Sequence, residues 1–393
     1  MALAPTLTMD VDAELQRIAD EAVQRHGVPG VVTGLARPDE ASVAVSGARA
    51  IGGEPMTRDT VFRIASLTKP VVAAAAMALV DRGTIRLDAP VETWLPELAA
   101  PRVLRDPAGP LDDTVPAEGP ILVEHLLALR AGLGFAGFEP TPHSAALMER
   151  LHQGQPDPPG WPHPDTWMAA AGTMPLLHQP GRGWSYNTGL DLAGVLLSRA
   201  AGTSLQEVLA DTLLEPLGMR DTGFRLRPEQ VARTATAYMP RGAELVETDA
   251  PDGMWAGEIG FESGADGLVS SLDDLLALGR MLLAGGEVGG TRVLSSASVA
   301  RLLRPGEPSS PEHPFLQGQS WSLGGSVDVV ELRPWEVRGR YGWIGGSGTA
   351  FSVYPRSRTV AVWLTQHGLG APDDDERLTP PLTLAAGLER AAR

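Results

Sequence analysis

Cysteine is absent from the 393 residues of this chain, which excludes disulfide bonds, thiolate nucleophiles and cysteine-ligated metal sites. No stretch reaches the ~18 consecutive apolar residues that a membrane-spanning helix requires. The first residues lack a basic segment followed by an apolar run, so they contain no recognisable export signal. We therefore expect a cytoplasmic protein with no membrane partner.

Basic residues are scarce, and lysine is almost missing. The chain has 32 lysine and arginine residues against 48 aspartate and glutamate residues, which gives a formal net charge of −16. Nucleic acids and anionic membranes bind to basic surfaces, so neither is expected as a partner. All but one of the basic side chains are arginine, and the exception is Lys69. Because arginine would serve equally well as a surface charge, this lysine needs a chemical explanation.

Several catalytic motifs are missing as well. The chain has no G-x-S-x-G, which argues against an α/β-hydrolase nucleophile elbow. Lys69 lacks the glycine pattern of a phosphate-binding loop, and the eight histidines include no H-E-x-x-H pair for zinc. The sequence therefore predicts neither a metal ion nor an organic cofactor, and side chains must supply the chemistry.

The regular patterns place strands near both ends of the chain and helices between them. "PGVVTGLARPDEASVAVSG" is typical of a β-hairpin, and short β-rich runs separated by glycine or proline return after about residue 318. "LTKPVVAAAAMALVDRG" predicts an apolar, buried helix that ends at Gly83. Residues 135–164 are rich in proline, glycine, tryptophan and histidine, and they predict a lid-like loop.

These patterns favour an α+β fold in a single unit that spans residues 1–393. We expect one central antiparallel sheet, built from residues 1–62 and 318–393 and flanked by helices. A mainly helical subdomain at residues 63–317 would be inserted between the two parts of that sheet. The sequence does not determine the oligomeric state, so a homo-oligomer stays open.

The tetrapeptide Ser66-Leu67-Thr68-Lys69 supplies a chemical reason for the single lysine. Residues three apart share one face of a helix, so the Lys69 amine can reach the Ser66 hydroxyl. Serine becomes a nucleophile when a neighbouring base takes its proton, and lysine is such a base where its surroundings favour the neutral amine. Arginine does not deprotonate in proteins and could not replace it. From this spacing alone, a helix-capping role for Ser66 is an equally good interpretation.

Further segments favour the catalytic interpretation. "VFRIASLTKPVVAAAAMALVDRGTIRLDAPVETWLPEL" resembles the nucleophile segment of the serine β-lactamase and penicillin-binding-protein superfamily. The likeness is greatest to the class C β-lactamase-like branch and its class VIII carboxylesterases. "WSYNTG" and "YGWIGGSGTAFSVYP" follow in the family's order, and the resemblance runs from about residue 14 to 380. It implies a β-lactamase/transpeptidase-like fold and a serine hydrolase that acts through an acyl-enzyme.

The resemblance also implies roles for individual residues. Ser66 would be the nucleophile and Lys69 its proton acceptor. Tyr186 would act as base toward Ser66 and as acid toward the leaving group. The backbone N–H groups of Ser66 and Gly346 would form the oxyanion hole.

Two positions depart from the family's pattern. The usual Tyr-Ser-Asn is here Tyr186-Asn187-Thr188, so either Asn187 or Thr188 takes the place of the asparagine. Trp343 stands where β-lactamases have the lysine of Lys-Thr-Gly. An indole suits an ester group better than a carboxylate, and Trp343, Gly345 and Asn187 are the expected substrate contacts.

The predicted function is therefore hydrolysis of small carboxylic esters through an acyl-Ser66 intermediate. The alternatives are a β-lactamase or D-amino-acid peptidase or amidase, an acyltransferase that uses an alcohol instead of water, and a catalytically silent binding protein. A small-molecule ester is the expected partner.

Several other polar and aromatic residues are expected to be structural. Arg338 and Arg340 are expected to be exposed charges at a strand end, although either could bind a substrate carboxylate. His125 and His178 lie in apolar contexts and are expected to have structural roles. Four tryptophans near the site are expected to pack as core residues, although they could line an acyl pocket: Trp161, Trp167, Trp184 and Trp255.

Overall fold

The computed structural model describes residues 10–154, 156–307, 315–370 and 376–392. Its strands are β1 (Gly30–Ala36), β2 (Ala41–Gly47), β3 (Phe62–Arg63), β4 (Arg102–Leu104), β5 (Thr114–Pro116), β6 (Ala237–Arg241), β7 (Glu244–Asp249), β8 (Val269–Ser270), β9 (Glu287–Val288), β10 (Thr291–Arg292), β11 (Gln319–Trp321), β12 (Ser326–Asp328), β13 (Tyr341–Gly345), β14 (Thr349–Tyr354) and β15 (Thr359–Thr365). The predicted ranges 1–62, 63–317, 135–164 and 318–393 each include positions outside the described residues.

Helices occupy much of the chain between the two groups of long strands, and among the described residues one more lies outside each group, toward either end of the chain. They are α1 (Val11–His26), α2 (Thr68–Asp81), α3 (Val123–Leu127), α4 (Pro142–Leu151), α5 (Pro164–Ala171), α6 (Thr188–Ala201), α7 (Leu205–Leu209), α8 (Glu215–Leu217), α9 (Pro228–Val231), α10 (Leu272–Leu283), α11 (Ser296–Leu303) and α12 (Pro380–Ala391). Short 3₁₀ helices include Ala65–Leu67 and Met254–Ala256, and a π-helical turn at Ala210–Leu214 joins α7 to α8.

The largest sheet in the described part of the chain has seven antiparallel strands in the order β11-β12-β13-β14-β15-β1-β2. Strand β1, from early in the sequence, pairs with β15, from late in the sequence, so that Val31 lies opposite Thr365. The sheet is therefore assembled from two distant parts of the chain. This arrangement confirms the predicted α+β fold with a central antiparallel sheet, whereas the proposed subdomain boundaries stay a prediction.

Both faces of the sheet are covered by helices. Alternate residues of a strand point to opposite faces, and in β15 both sets of side chains are apolar and buried. Val362 and its same-face neighbours pack in the core that includes α10, and Trp363 packs in a second core with α1 and α12. Burial on both sides explains why this strand has a continuous apolar run and no alternation with polar residues.

Helix α2 lies inside the fold, as its composition predicts. A helix that is apolar on all sides has no face suited to water, and every residue from Thr68 to Leu79 is buried. It packs against α6, α7 and α11. The helix therefore carries its first residues, including Lys69, into a place from which water is excluded.

The segment 135–164 contains more regular structure than the sequence indicates. Helix α4 begins after Thr141, whose side chain accepts a hydrogen bond from the backbone N–H of Ser144. The Ser144 hydroxyl in turn accepts from the Thr141 N–H, which completes a capping box. Proline and histidine around this short helix mask its periodicity, so the predicted loop is in part a helix.

Among the described residues, no helix is both long enough and apolar enough to cross a lipid bilayer.

Candidate active site

Ser66 lies in the 3₁₀ turn Ala65–Leu67, directly before α2. Ala65, the preceding residue, has a φ of 44°, an unusual value for a residue that is not glycine. The backbone just before it is held in place, because the Ile64 carbonyl accepts a hydrogen bond from the Thr349 hydroxyl at 3.1 Å. Such strain persists only where surrounding contacts enforce it, and it is common at reactive sites.

Lys69 is fully buried and makes three hydrogen bonds. Its Nζ lies 2.9 Å from Ser66 Oγ, 2.7 Å from Asn187 Oδ1 and 2.9 Å from the Ala265 carbonyl. The carbonyl and the amide oxygen can only accept, so they orient two N–H bonds. A neutral amine held in this way would direct its lone pair toward the Ser66 hydroxyl. The predicted Ser66–Lys69 contact is therefore present.

Tyr186 lies on the other side of Ser66, although 120 positions separate the two in sequence. The Tyr186 hydroxyl donates to Ser66 Oγ at 2.9 Å and accepts from the Trp343 indole N–H at 2.8 Å. The Tyr186 ring also covers Lys69 Nζ, which lies 4.7 Å from the ring centre. Two backbone hydrogen bonds with Phe135 hold the chain at Tyr186. The structure thus brings Ser66, Lys69 and Tyr186 together.

The sequence left open whether Asn187 or Thr188 takes the place of the family's asparagine. Asn187 Oδ1 accepts from Lys69, whereas the Thr188 hydroxyl donates to Gln153 Oε1 at 3.1 Å. Asn187 adopts a φ of 82°, which directs its side chain into the cluster instead of along α6. Among the two candidates, it is therefore Asn187 that contacts the lysine.

Gln153 is a member of this cluster that sequence reasoning missed. It is buried, and its Oε1 accepts from Asn187 Nδ2 at 2.9 Å while its Nε2 donates to Asp191 Oδ2 at 2.8 Å. It follows α4 in a segment without periodicity, and one glutamine in such a segment carries no sequence signal.

Asp191 lies beneath the cluster and is fully buried. Its other carboxylate oxygen accepts from the Ser263 hydroxyl at 2.6 Å and from the Ala265 N–H at 3.1 Å. Burial, together with the neighbouring Asp266, raises the pKa of Asp191 to about 7. Because the Ala265 carbonyl accepts from Lys69, this carboxyl group supports the backbone that orients the lysine. No motif around Asp191 indicates this role.

Strand β13 brings the two glycines of the third motif to the nucleophile. A Cβ on Gly345 would lie 2.5 Å from the Ile64 carbonyl oxygen, so only glycine allows the strand to approach the chain before Ser66 so closely. A Cβ on Gly346 would meet no atom within 4 Å, since this residue opens onto the cleft. Ser66 and Gly346 therefore border the same space, as an oxyanion hole requires.

Trp343 and Arg340 differ from their expected environments. The Trp343 indole N–H is directed to the Tyr186 hydroxyl, so its polar end is engaged within the protein. The expectation that Arg340 is exposed was wrong, since this side chain is 2% exposed and donates two hydrogen bonds to Asp328. The sheet covers it, which a lone arginine at a strand end does not reveal. Arg338 is exposed, as expected.

The two histidines considered above lie together in another region. His125 Nδ1 accepts from the Leu122 N–H at the start of α3, and His178 Nδ1 lies 3.0 Å from the Gln179 carbonyl. Burial lowers the pKa of both imidazoles, so each favours the neutral form. Their environment is that of structural residues.

The four tryptophans are buried, as expected for core residues. Trp167 donates its indole N–H to the Leu151 carbonyl at 3.0 Å, and Trp184 packs against the Tyr186 ring at 5.8 Å between ring centres. Trp255 also lines the cleft that opens at Ser66. Trp255 therefore packs in the core and also forms part of the cavity wall.

The chain is similar in sequence to a known protein family and to individual bacterial proteins. Residues 15–382 match the sequence profile of a family described as Beta-lactamase. Protein Rv1367c of Mycobacterium tuberculosis is 39% identical over 327 residues, which cover 80% of this chain and 79% of that protein. Esterase EstB of Burkholderia gladioli is 34% identical over 280 residues, covering 67% of this chain and 68% of the esterase.

A solved structure shares the whole fold. EstCE1, described as a hydrolase with promiscuous acyltransferase activity, superimposes with a TM-score of 0.80 at 24% sequence identity. The match covers 95% of this chain and 98% of that protein. At this level of identity the likeness concerns the fold, and the side chains described above must support the chemistry.

Proposed function

The chain belongs to the Beta-lactamase family, and from that premise we propose that it is a serine hydrolase that cleaves carboxylic esters through an acyl group on Ser66. One observation carries the proposal: Ser66 Oγ lies 2.9 Å from both Lys69 Nζ and the Tyr186 hydroxyl. A nucleophile within hydrogen-bond distance of two proton-transfer groups, at the mouth of a cleft, has the arrangement needed for acyl transfer.

The first step is attack of Ser66 Oγ on the ester carbonyl. Lys69, as the neutral amine, takes the hydroxyl proton while Asn187 and Ala265 hold its N–H groups. The negative charge that develops on the carbonyl oxygen is stabilised by the backbone N–H groups of Ser66 and Gly346. Each such donor contributes about 3–4 kcal/mol to the transition state.

The second step is departure of the alcohol. Tyr186 donates its hydroxyl proton to the leaving oxygen, and Lys69 restores that proton. The indole N–H of Trp343 stabilises the negative charge that forms transiently on the tyrosine oxygen. A water molecule then attacks the acyl-enzyme with the same groups acting in reverse. An alcohol in place of that water would give acyl transfer.

Two features favour esters over β-lactams and D-amino-acid peptides as substrates. At the position where β-lactamases have a lysine, Trp343 directs its N–H to Tyr186. Nearby, Arg340 is occupied by Asp328. The similarity to an esterase of Burkholderia gladioli agrees with this choice. A cytoplasmic setting and a place among the class VIII carboxylesterases are part of the same proposal.

The decisive experiment is covalent labelling with a p-nitrophenyl phosphonate, read by intact mass and peptide mapping. We expect one adduct, on Ser66. The variant Ser66→Ala should lose both this adduct and the hydrolysis of p-nitrophenyl butyrate. Ser42→Ala on β2 changes a serine outside the cleft wall and serves as the control, which should be labelled normally. An adduct elsewhere, or full activity of Ser66→Ala, would contradict the proposal.

A substrate comparison separates the proposed esterase from the alternatives. We expect p-nitrophenyl butyrate to be hydrolysed with a much larger kcat/KM than nitrocefin, and nitrocefin turnover of similar efficiency would favour a β-lactamase. Added alcohol that diverts most of the acyl group into a new ester would favour an acyltransferase. Absence of any covalent adduct would leave the binding-protein interpretation.

A further inference from the structure

The cleft at Ser66 is divided into two lobes of different size and chemistry. The larger lobe has a volume of about 610 Å³ and the smaller one about 360 Å³. Both are bordered by Ser66, Tyr186 and Gly346. Since an ester consists of an acyl part and an alcohol part joined at the reacting carbonyl, each lobe has room for one of them.

The wall of the larger lobe is mainly apolar. Its side chains include Phe135, Met148, Tyr238, Met239 and Met254. Methionine side chains are flexible and adapt to irregular shapes, and aromatic rings offer large flat contact surfaces. A lobe of this volume is in the range of cavities that enclose complete organic ligands. A short acyl group such as acetyl would leave most of it filled with water.

Arg63 and Asp249 of that wall are paired with each other, and the two other charged residues that line it, Glu139 and Asp266, are acidic. Arg63 Nε donates to Asp249 Oδ2 at 2.6 Å, and its terminal nitrogens donate to the Ala235 and Ala250 carbonyls at 2.6 Å each. The second Asp249 oxygen accepts from the Met254 N–H at 2.7 Å. Both side chains are buried, so their hydrogen-bonding groups are occupied by protein. Among the described residues that line this lobe, no cation is therefore left to bind an anionic acyl group.

The mouth of the larger lobe exposes apolar side chains to water. Met148 on α4 is 51% exposed, and Phe138 is 49% exposed. Large exposed apolar groups at the edge of a cavity are a feature of surfaces that bind apolar ligands. Both residues belong to the segment 135–164, which the sequence predicts to be lid-like.

The positions of Tyr186 and Trp343 indicate which lobe takes the acyl part of the ester and which takes the alcohol part. Tyr186 protonates the leaving alcohol in the proposed mechanism, so the alcohol lies on the side of the phenol oxygen. Trp343, whose N–H lies 2.8 Å from that oxygen, lines the smaller lobe. Asn187, which holds Lys69 from the opposite side, lines the larger one. The alcohol therefore lies in the smaller lobe and the acyl group in the larger.

On the premise of the proposed esterase function, we propose that the larger lobe selects esters of bulky, uncharged, apolar acids. The natural substrate would carry a ring-bearing or medium-chain acyl group, with a small alcohol. Met148 and Ala237 are the specificity-determining residues we single out, one at the mouth and one in the wall of the lobe.

The test uses p-nitrophenyl esters with one leaving group and different acyl groups: acetate, octanoate, cyclohexanecarboxylate and the anionic succinate monoester. We expect kcat/KM for octanoate and cyclohexanecarboxylate to exceed that for acetate by at least about ten-fold, and succinate to be the poorest. Phosphonate labelling of Ser66 is measured in parallel. Labelling without the expected order of esters would overturn the substrate class and leave the serine mechanism in place, whereas absent labelling would overturn the proposed function itself.

Two variants test the assignment of the lobe. Ala237→Phe adds a ring to the wall, and Met148→Ser removes an apolar contact at the mouth; each should lower the octanoate-to-acetate ratio about five- to ten-fold. Leu332→Ser is the matched control, since Leu332 is equally exposed and apolar but lies outside both lobes. A ratio that falls in Leu332→Ser as well, or in neither variant, would overturn the assignment.

Discussion

At the scale of single residues, Lys69 accounts for the main peculiarity of the composition. A surface cation could be lysine or arginine, but a buried amine beside a serine hydroxyl must be able to release and accept a proton. Its three contacts, with Ser66, Asn187 and the Ala265 carbonyl, all involve the amine nitrogen, the atom that would carry the proton. The one lysine of the chain therefore lies at a position where arginine could not act as a proton acceptor.

Replacement of this lysine by arginine tests the argument. Lys69→Arg places a guanidinium, which does not deprotonate, where the proposed proton acceptor stood, so kcat for p-nitrophenyl butyrate should fall by about 10³-fold or more. Arg86→Lys, at an exposed position, is the control and should leave kcat unchanged. If Lys69→Arg kept more than about a tenth of the activity, the lysine would act as a counter-charge and not as a base.

Removal of the Trp343 indole N–H provides a second test at the scale of single residues. Trp343→Phe keeps an aromatic ring but removes the donor to the Tyr186 oxygen, and a hydrogen bond to a developing negative charge contributes about 1.5–3 kcal/mol. We expect kcat to fall about 10- to 100-fold, with a smaller change in KM. Trp335→Phe replaces another indole that lines the smaller lobe, and it serves as the control for the packing lost when an indole becomes a phenyl ring. An increase in KM alone would indicate that Trp343 contacts substrate instead.

At the scale of secondary-structure elements, the site depends on how closely β13 approaches the turn that carries Ser66. The strand ends at Gly345, which faces the Ile64 carbonyl, and the next residue, Gly346, faces the open cleft. Thr349 on β14, the cross-strand partner of Gly345, donates its hydroxyl to the same Ile64 carbonyl. The proposed oxyanion hole would thus be formed where the end of one strand meets the turn before one helix.

The two glycines provide a matched pair of substitutions. In Gly345→Ala the added methyl group would overlap the Ile64 carbonyl, so the free energy of unfolding should fall by about 1–3 kcal/mol and Ser66 labelling should slow. In Gly346→Ala the methyl group enters free space, so urea unfolding should be nearly unchanged and any effect should appear in ester kinetics. Equal stability losses in both variants would mean that close approach of β13 is not the cause.

At the scale of the whole molecule, distant parts of the chain close one sheet. Strand β1 lies between β2 and β15, and helices α1 and α12 share a core on one face. The part of the chain between the two groups of strands contributes Lys69 and Tyr186, and the walls of the cleft come both from this part and from the late strands. Whether this unit forms a homo-oligomer stays a prediction.

Stability at acidic pH provides a test of this packing. His143 on α4 is 1% exposed, its Nε2 lies 2.9 Å from the Pro175 carbonyl, and burial lowers its pKa to about 4. In the unfolded chain the pKa is near 6.5, so below that pH the unfolded state binds the additional proton. The contribution of neutral His143 is therefore complete above about pH 6.5 and is lost as the pH falls toward 4.

Urea unfolding of wild type and His143→Gln from pH 7.5 to 4 measures this effect. Glutamine keeps an N–H for the Pro175 carbonyl but does not titrate. The stability of the wild type relative to the variant should decrease between about pH 6.5 and 4, by at most about 3 kcal/mol. A difference that is constant over this range would show that His143 is accessible to protons in the folded protein.

The candidate nucleophile and base could be predicted because their relation is local. Ser66 and Lys69 are three residues apart, and helical geometry makes them neighbours whatever the rest of the chain does. The burial of α2 followed from its apolar composition, and the sheet from the β-rich runs at both ends. The motif around Tyr186 identified the third residue, since its resemblance to the family does not depend on contacts.

Features set by packing could not be predicted in this way. The exposure of Arg340, the direction of the Trp343 indole and the places of Gln153 and Asp191 depend on which surfaces meet, and no spacing within a segment records that. The choice between Asn187 and Thr188 required the φ of 82° at Asn187, which the contacts with Lys69 and Gln153 support. The two lobes exist only between folded elements. Local periodicity thus determined the helices, the strands and the serine–lysine pair, whereas tertiary packing decided solvent exclusion, side-chain direction and the shape of the cleft.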